Sequence, residues 1–317
     1  MKDKIAEHDL DSITAVPRIL NDEKLILEWL QNEGSDSRLK DTVARTTSFL
    51  QYFADTERYI HEKPYASKIP PLVPNQAQLN FGGQYHQVVI TDIAGHETLF
   101  SLDKDGFQFV PDVYHGPMFI EDLQTYINTM SNWLTTHLDC SEVFVFDFAL
   151  RHEHSRALGI KGFVDVARRV HCDQTPRSAI GRIKLHMGMR ADELLRGRCR
   201  LINIWRPLVP VVESYPLAAC SFTSVTAQDF VPVDVIFPHY AEEAFEIIAS
   251  KRHRWYYRSK MTWKDVALLK IYDNNQEDRV AYCAPHTGFR DPRSGSQIPR
   301  SSIELRCLVF GDNKQRK

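Results

Sequence analysis

His171 and Asp173, separated by one residue in VARRVHCDQTPRSA, offer an imidazole and a carboxylate. On a strand, residues i and i+2 project from the same face, so both groups can meet at one point. A third donor must come from another strand. His286, in YCAPHTGFRDP, follows a strand-like run and is the candidate. Two imidazoles and one carboxylate on one side of a metal leave the other side open, which is the facial triad of non-haem Fe(II) oxygenases. One ligand charge against Fe(II) keeps the centre cationic. Such a centre attracts an anionic chelator, for which a 2-oxo acid is suited, and retains a position for dioxygen.

The distal carboxylate of a 2-oxo diacid needs a partner, and the planar fork of arginine meets a carboxylate through two hydrogen bonds. Arg300 opens the last strand, and Ser302 shares its face. Arg306 has the same parity. Arg300 is the first candidate and Arg306 the second. The ordinary alternative for either is a salt bridge, for instance with Glu304. In INIWRPL, Asn203 and Trp205 share a face, while Arg206 points the other way unless the chain bends before Pro207. Asn203 or Arg206 would then stand near the cosubstrate or substrate, and Arg206 is the next anchor candidate. The competing reading is a capping hydrogen bond beside a packed tryptophan. Trp255 and Tyr257 share one strand face and, with Trp205 and Phe289, are candidates to line a substrate pocket. Against that, aromatic rings often simply fill a barrel core. Other histidines compete less well. His152 and His154 stand in the charged stretch RHEHSR and read as solvated, and His186 and His239 read as structural or exposed.

The elements that must position these residues are mostly strands. CRLINIWRPL, PLAACSFTSV, HRWYYRSK, VALLKIYDN, VAYCAPHTGF and SSIELRCLVF are short apolar runs at close spacing. HQVVITDIAG and SEVFVFDFALRHE also read as strands. HETLFSLDKDGFQFV reads as a hairpin turning at Asp105-Gly106. Helical spacing appears over 118–138, and SAIGRIKLHMGMRADELLRGR predicts a helix broken at Gly188. A short helix is expected around DEKLILEWLQ. KPYASKIPPLVPNQAQ, with four prolines, reads as an extended arm. The pattern predicts a mainly β fold, a sandwich or jelly-roll barrel with helices outside. Residues 1–84 form an N-terminal helical segment and arm, and 85–317 the oxygenase domain, the two making one compact unit.

Bulk properties exclude several classes. The 317 residues are 43% hydrophobic and 25% charged, with a net charge of −2. Nothing favours nucleic acid or an anionic membrane surface. The opening MKDKIAEHDLDSIT has no apolar run that would suggest a secretory signal, and no stretch is long enough to span a bilayer. Six scattered cysteines without a C-x-x-C pair read as reduced thiols of a cytoplasmic protein. There is no nucleotide-binding glycine motif. The partner is a small molecule, and the oligomeric state stays open.

Several segments together resemble the AsaB-like or CmcJ-like hydroxylase/desaturase family, which includes gibberellin desaturases and the cephamycin 7α-hydroxylase component. They are ITDIAGHETLFSLDKDGFQFV, VHCDQTP, LINIWRPL, YPLAACSFTSV, HRWYYRSKM, LLKIYD, PHTGFRDP and PRSSIELRCLVF. The likeness runs from about residue 60 to 310. It implies a double-stranded β-helix of the cupin type, with His171, Asp173 and His286 as iron ligands. It also implies 2-oxoglutarate held by an arginine of PRSSIELR, and dioxygen-dependent oxidation of a small secondary metabolite. One departure is DIAG, where the family more often has arginine before the glycine. Two other readings use the same residues: a zinc hydrolase, and a jelly-roll binding protein without chemistry.

Overall fold

The structure, a computed structural model, describes residues 36–39, 43–54, 57–275, 277, 280–295 and 298–311. The helix expected around 22–31 lies outside them. Five strands form one sheet in the order β4 (Phe107–Val110), β12 (Val266–Asp273), β7 (Cys199–Pro207), β14 (Ser301–Phe310) and β5 (Glu142–His152). Nine form the other: β1 (Arg45–Phe53), β3 (Gly83–Asp92), β11 (Trp255–Tyr257), β8 (Leu217–Cys220), β13 (His286–Gly288), β6 (His171–Cys172), β10 (Ala241–Ile247), β9 (Phe230–Ile236) and β2 (Tyr65–Ser67). From β5 to β8 the chain alternates between the sheets. It does so again from β11 to β14. This is the winding of a double-stranded β-helix.

The central strands of the five-stranded sheet read as unbroken apolar runs because both faces are covered. Every residue of β7 and β12 is buried. One face carries helix α1 (Leu123–His137), whose Tyr126, Met130 and Leu134 pack on Ile202, Ile204, Leu268 and Leu305. Asp122 caps α1 by accepting from the Gln124 N–H. The other face packs against the nine-stranded sheet, with Leu201, Trp205, Leu269 and Tyr256 in that shared core. Helix α2 (Pro176–Met187) adds Ala179 and Ile183 to it. It ends at Gly188 (φ +53°), where the sequence predicts a break.

Several expectations need correction. The stretch 96–110 is not a hairpin. Leu102–Asp105 forms a single helical turn, capped by the Ser101 side chain and ended by Gly106 at φ +81° before β4 begins. A β-carbon on Gly106 would lie 2.5 Å from the Cys283 carbonyl oxygen. Asp-Gly suits a hairpin turn and a left-handed helix end equally, and here the Ser101 cap decides. The boundary at 84/85 cuts through paired strands, since β1 pairs with β3 from Arg45↔Thr91 to Phe53↔Gly83. VAYCAPHTGF supplies only three strand residues. The sequence pattern does not predict strands β1, β9 and β10. Bridges Gln51↔Arg169 and Phe53↔Ile248 curl the long sheet round a separate core that contains Tyr52, Cys220, Trp255 and Tyr257.

Candidate metal centre

His171 and His286 are direct partners across β6 and β13, and His286 is also paired with Ala219 of β8. Directly paired residues put their side chains on one face. Both imidazoles therefore face the five-stranded sheet, with ring centroids 4.5 Å apart. Asp173 lies just past the end of β6, and two residues later Thr175 caps α2 with its hydroxyl. The carboxylate is thus fixed between a strand end and a helix start. One donor atom from each of His171, Asp173 and His286 lies within 4.8 Å of the other two. No other such group occurs among the described residues.

Backbone carbonyls set both imidazole tautomers. Nδ1 of His171 is 2.8 Å from the Arg169 oxygen, and Nδ1 of His286 is 3.0 Å from the Ala284 oxygen. A carbonyl only accepts, so each Nδ1 donates and each Nε2 keeps its lone pair for a metal. Burial, and then the neighbouring His171, push His286 down to about 4, so it stays neutral at neutral pH. For Asp173, burial favours the acid form. Arg306, His171 and His286 outweigh it and hold the carboxyl well below its usual range. For His171, burial is likewise outweighed, by the hydrogen bond and charge of Asp173, and its range moves up. Asn203 donates its Nδ2 to Asp173 Oδ2, which leaves Oδ1 on the side of His171. The donor set and its orientation fit Fe(II) bound by two histidines and one carboxylate.

A constricted cavity of about 10 Å³, room for a single water, lies between the two histidines and Arg300. Trp205, Leu217, Gly288 and Glu304 are among its walls. Arg300 is 3% exposed. Its guanidinium donates to the Tyr215 carbonyl (2.9 Å) and approaches Ser302 Oγ (3.5 Å), and it lies 4.9 Å from the Trp205 ring centroid. Among the described residues no carboxylate pairs with it. Its Nε and the Trp205 indole N–H are buried without a hydrogen-bond partner. Burial, and then Arg151, push the Arg300 guanidinium downward. Arg306 differs, since its fork is occupied by Asp147 (2.7 Å) and Glu304 (3.2 Å). The salt bridge with Glu304 thus belongs to Arg306.

Four other sequence candidates lie away from the cavity. Arg206 points from the opposite face of β7 into the core under α1, because the strand runs straight to Pro207. There it bonds the Tyr126 hydroxyl and the Trp263 carbonyl. Trp255 and Tyr257 pair with Cys220 and Ala218, whereas Tyr256 pairs with Ala219, the neighbour of His286. Tyr256 therefore shares the metal-site face, and Trp255 and Tyr257 occupy the other. Trp255 donates to the Tyr52 hydroxyl, and Phe289 stacks edge-on against Tyr257. Tyr257 also borders an open cleft of about 650 Å³ that includes no triad residue. Sequence reasoning missed Arg151, another wall of the cavity. It stands in the charged RHEH stretch that read as solvated, and its pairing with Ser302 becomes visible only in the sheet.

A family model described as "Oxidoreductase/YMDC permease-like domain" matches residues 50–310. "Hydroxylase/desaturase efuI" of Hormonema carpetanum is 34% identical over 257 residues, covering 73% of this chain and 85% of that protein. "Fe(II)/2-oxoglutarate-dependent dioxygenase nvfI" of Aspergillus novofumigatus is 32% identical over 252 residues, covering 75% and 88%. The chain belongs to the hydroxylase/desaturase family of Fe(II)/2-oxoglutarate-dependent oxygenases. A solved structure, "iron and alpha-ketoglutarate-dependent endoperoxidase NvfI", superposes with a TM-score of 0.75 at 29% identity, covering 84% of this chain and 98% of that one. The oxygenase uses iron, 2-oxoglutarate and dioxygen on a small-molecule substrate. Neither a zinc hydrolase nor a non-catalytic jelly roll is supported. No helix among the described residues is long and apolar enough to cross a membrane.

Proposed function

We propose that His171, Asp173 and His286 hold Fe(II), and that 2-oxoglutarate lies in the cavity with its distal carboxylate on Arg300. The observation that carries this reading is a buried guanidinium with no carboxylate partner, in one cavity with both histidines. Ser302 steadies that guanidinium, and Trp205 offers it a π face. Arg306 is a prop for Glu304 and a charge near Asp173 rather than the anchor. Asn203 turns one oxygen of Asp173 away from His171. When bound, iron with 2-oxoglutarate and dioxygen supplies the oxidising power to take hydrogen from a substrate C–H bond. The outcome is hydroxylation, desaturation or oxidative cyclisation of an apolar or amphipathic metabolite. The near-zero net charge gives a polyanion no steering field. Six buried cysteines with no disulfide agree with a reducing, cytoplasmic setting.

The test is a screen of small metabolites with Fe(II), ascorbate and 2-oxoglutarate under air. Succinate formation should depend on substrate, and product mass should show one added oxygen or two lost hydrogens. Turnover with zinc under argon would sink the reading.

Gly288 gives a sharper check on Arg300. A β-carbon there would lie 2.6 Å from Val166 Cγ1, 2.8 Å from Arg300 Nη1 and 3.2 Å from the Ala167 oxygen. Gly288→Ala therefore crowds both Val166 and the Arg300 guanidinium and should push the latter from its place. Losing a charge-assisted hydrogen bond should raise KM for 2-oxoglutarate by about tenfold or more. Stoichiometric Fe(II) binding should survive. An unchanged KM would remove Arg300 from the anchor role.

A further inference from the structure

The cavity that receives the distal carboxylate has a second guanidinium in its wall. Arg151 on β5 pairs directly with Ser302 of β14, so its side chain shares a face with Arg300, Ser302 and Glu304. Like Arg300, it lines the cavity beside His171 and His286. Its ties are loose. Nη1 reaches the Asp165 carbonyl at 3.2 Å, and Nη2 stands 3.8 Å from Glu304 Oε1, too far for a hydrogen bond. That same Glu304 oxygen accepts from Arg306 at 3.2 Å. The cavity wall thus holds two guanidiniums and one carboxylate, and the carboxylate is already engaged elsewhere. The excess positive charge is buried. Arg151 has 13% of its side chain exposed, and Arg300 less as a whole residue. Glu304, shared with Arg306, is the one carboxylate in this wall and only partly offsets two buried guanidiniums, so a ligand carboxylate between them would stabilise both.

We propose that Arg151 is a second anchor for the distal carboxylate, approaching from the β5 side while Arg300 approaches from the start of β14. The inference rests on the assignment of Arg300 above and extends it to selectivity. A single arginine holds a carboxylate; two make its absence expensive. The site should therefore prefer a five-carbon 2-oxo diacid over the 2-oxo monoacid of equal chain length. Glu304 keeps the empty cavity from carrying the full repulsion of the pair, and its 3.8 Å gap to Arg151 leaves that arginine able to turn to a ligand.

The test is calorimetric titration of the Fe(II)-loaded protein under argon with 2-oxoglutarate and with 2-oxopentanoate, which lacks the distal carboxylate. Arg151→Gln should weaken 2-oxoglutarate binding by about tenfold or more and leave 2-oxopentanoate binding unchanged. Arg151→Lys, which keeps the charge but not the fork, should fall between. Arg300→Gln, run in parallel, tests the first anchor by itself. If Arg300→Gln weakens 2-oxoglutarate and Arg151→Gln does not, the second anchor is overturned and the first stands. If neither does, both assignments fall. Equal loss of the two ligands in Arg151→Gln, restored in Arg151→Lys or not, would mark a merely structural arginine and also overturn the proposal.

Discussion

His286→Ala should abolish stoichiometric Fe(II) binding and substrate turnover together. The site offers three donors, so removing one leaves an imidazole and a carboxylate two residues apart in the chain. Losing even a group that only orients a ligand typically costs metal affinity about 10–100-fold, and losing a ligand must cost more. His286 is suited to the test because its substitution leaves little else to disturb. Its backbone pairing with Ala219 and His171 does not depend on the side chain, which is tied to the Ala284 carbonyl and packs against the His171 ring. Alanine keeps those ladder bonds, so the fold should persist. The measurement is anaerobic Fe(II) titration against a competing chelator, with circular dichroism to show that the variant is folded. Full activity in a folded His286→Ala protein would end the triad assignment.

The metal site was legible because its chemistry is local. His171 and Asp173 lie two residues apart, and His286 sits in a run whose strand character shows. Choosing between Arg300 and Arg306 was not legible, because both have the same parity on one strand. What separates them is which carboxylates are near, and Asp147 comes from β5, far off in sequence. The period-two alternation of β7 holds in the structure, and it sets Arg206 on the face away from Asn203 and Trp205. The parity of β11 was also right, since Trp255 and Tyr257 do share a face. Which face meets the metal depends on register with β8, and a three-residue strand carries no signal of that. Strands β9 and β10 carry a weak sequence signal because they are half-covered and mix charge with apolar residues, as in AEEAFEI. Asp105-Gly106 misled because one dipeptide serves two backbone shapes.

Arg206→Met should destabilise the protein strongly and leave 2-oxoglutarate affinity unchanged. Arg206 is fully buried. It donates from Nε to the Tyr126 hydroxyl at 3.1 Å and from Nη1 to the Trp263 carbonyl at 3.0 Å. Its guanidinium carbon lies 4.3 Å from the Tyr114 ring centroid and 4.8 Å from that of Tyr126. One side chain thus ties β7, helix α1 and the segments before α1 and β12 into a single core. Methionine matches its apolar stem and supplies no donor. The Trp263 oxygen and the Tyr126 hydroxyl would then be buried without their partner, and two rings would lose their cation. Unsatisfied buried groups cost about 1–3 kcal/mol each, and truncating a large core side chain costs roughly 2–5 kcal/mol. Together these should lower the thermal midpoint of a chain this long by roughly 6–16 °C. The cavity near His286 lies across the sheet from Arg206, and no wall of it comes from this residue. Thermal unfolding together with calorimetric titration of 2-oxoglutarate, below the new midpoint, separates the two effects. A variant that melts normally but binds 2-oxoglutarate weakly would return Arg206 to the cosubstrate and contradict the face on which β7 presents it.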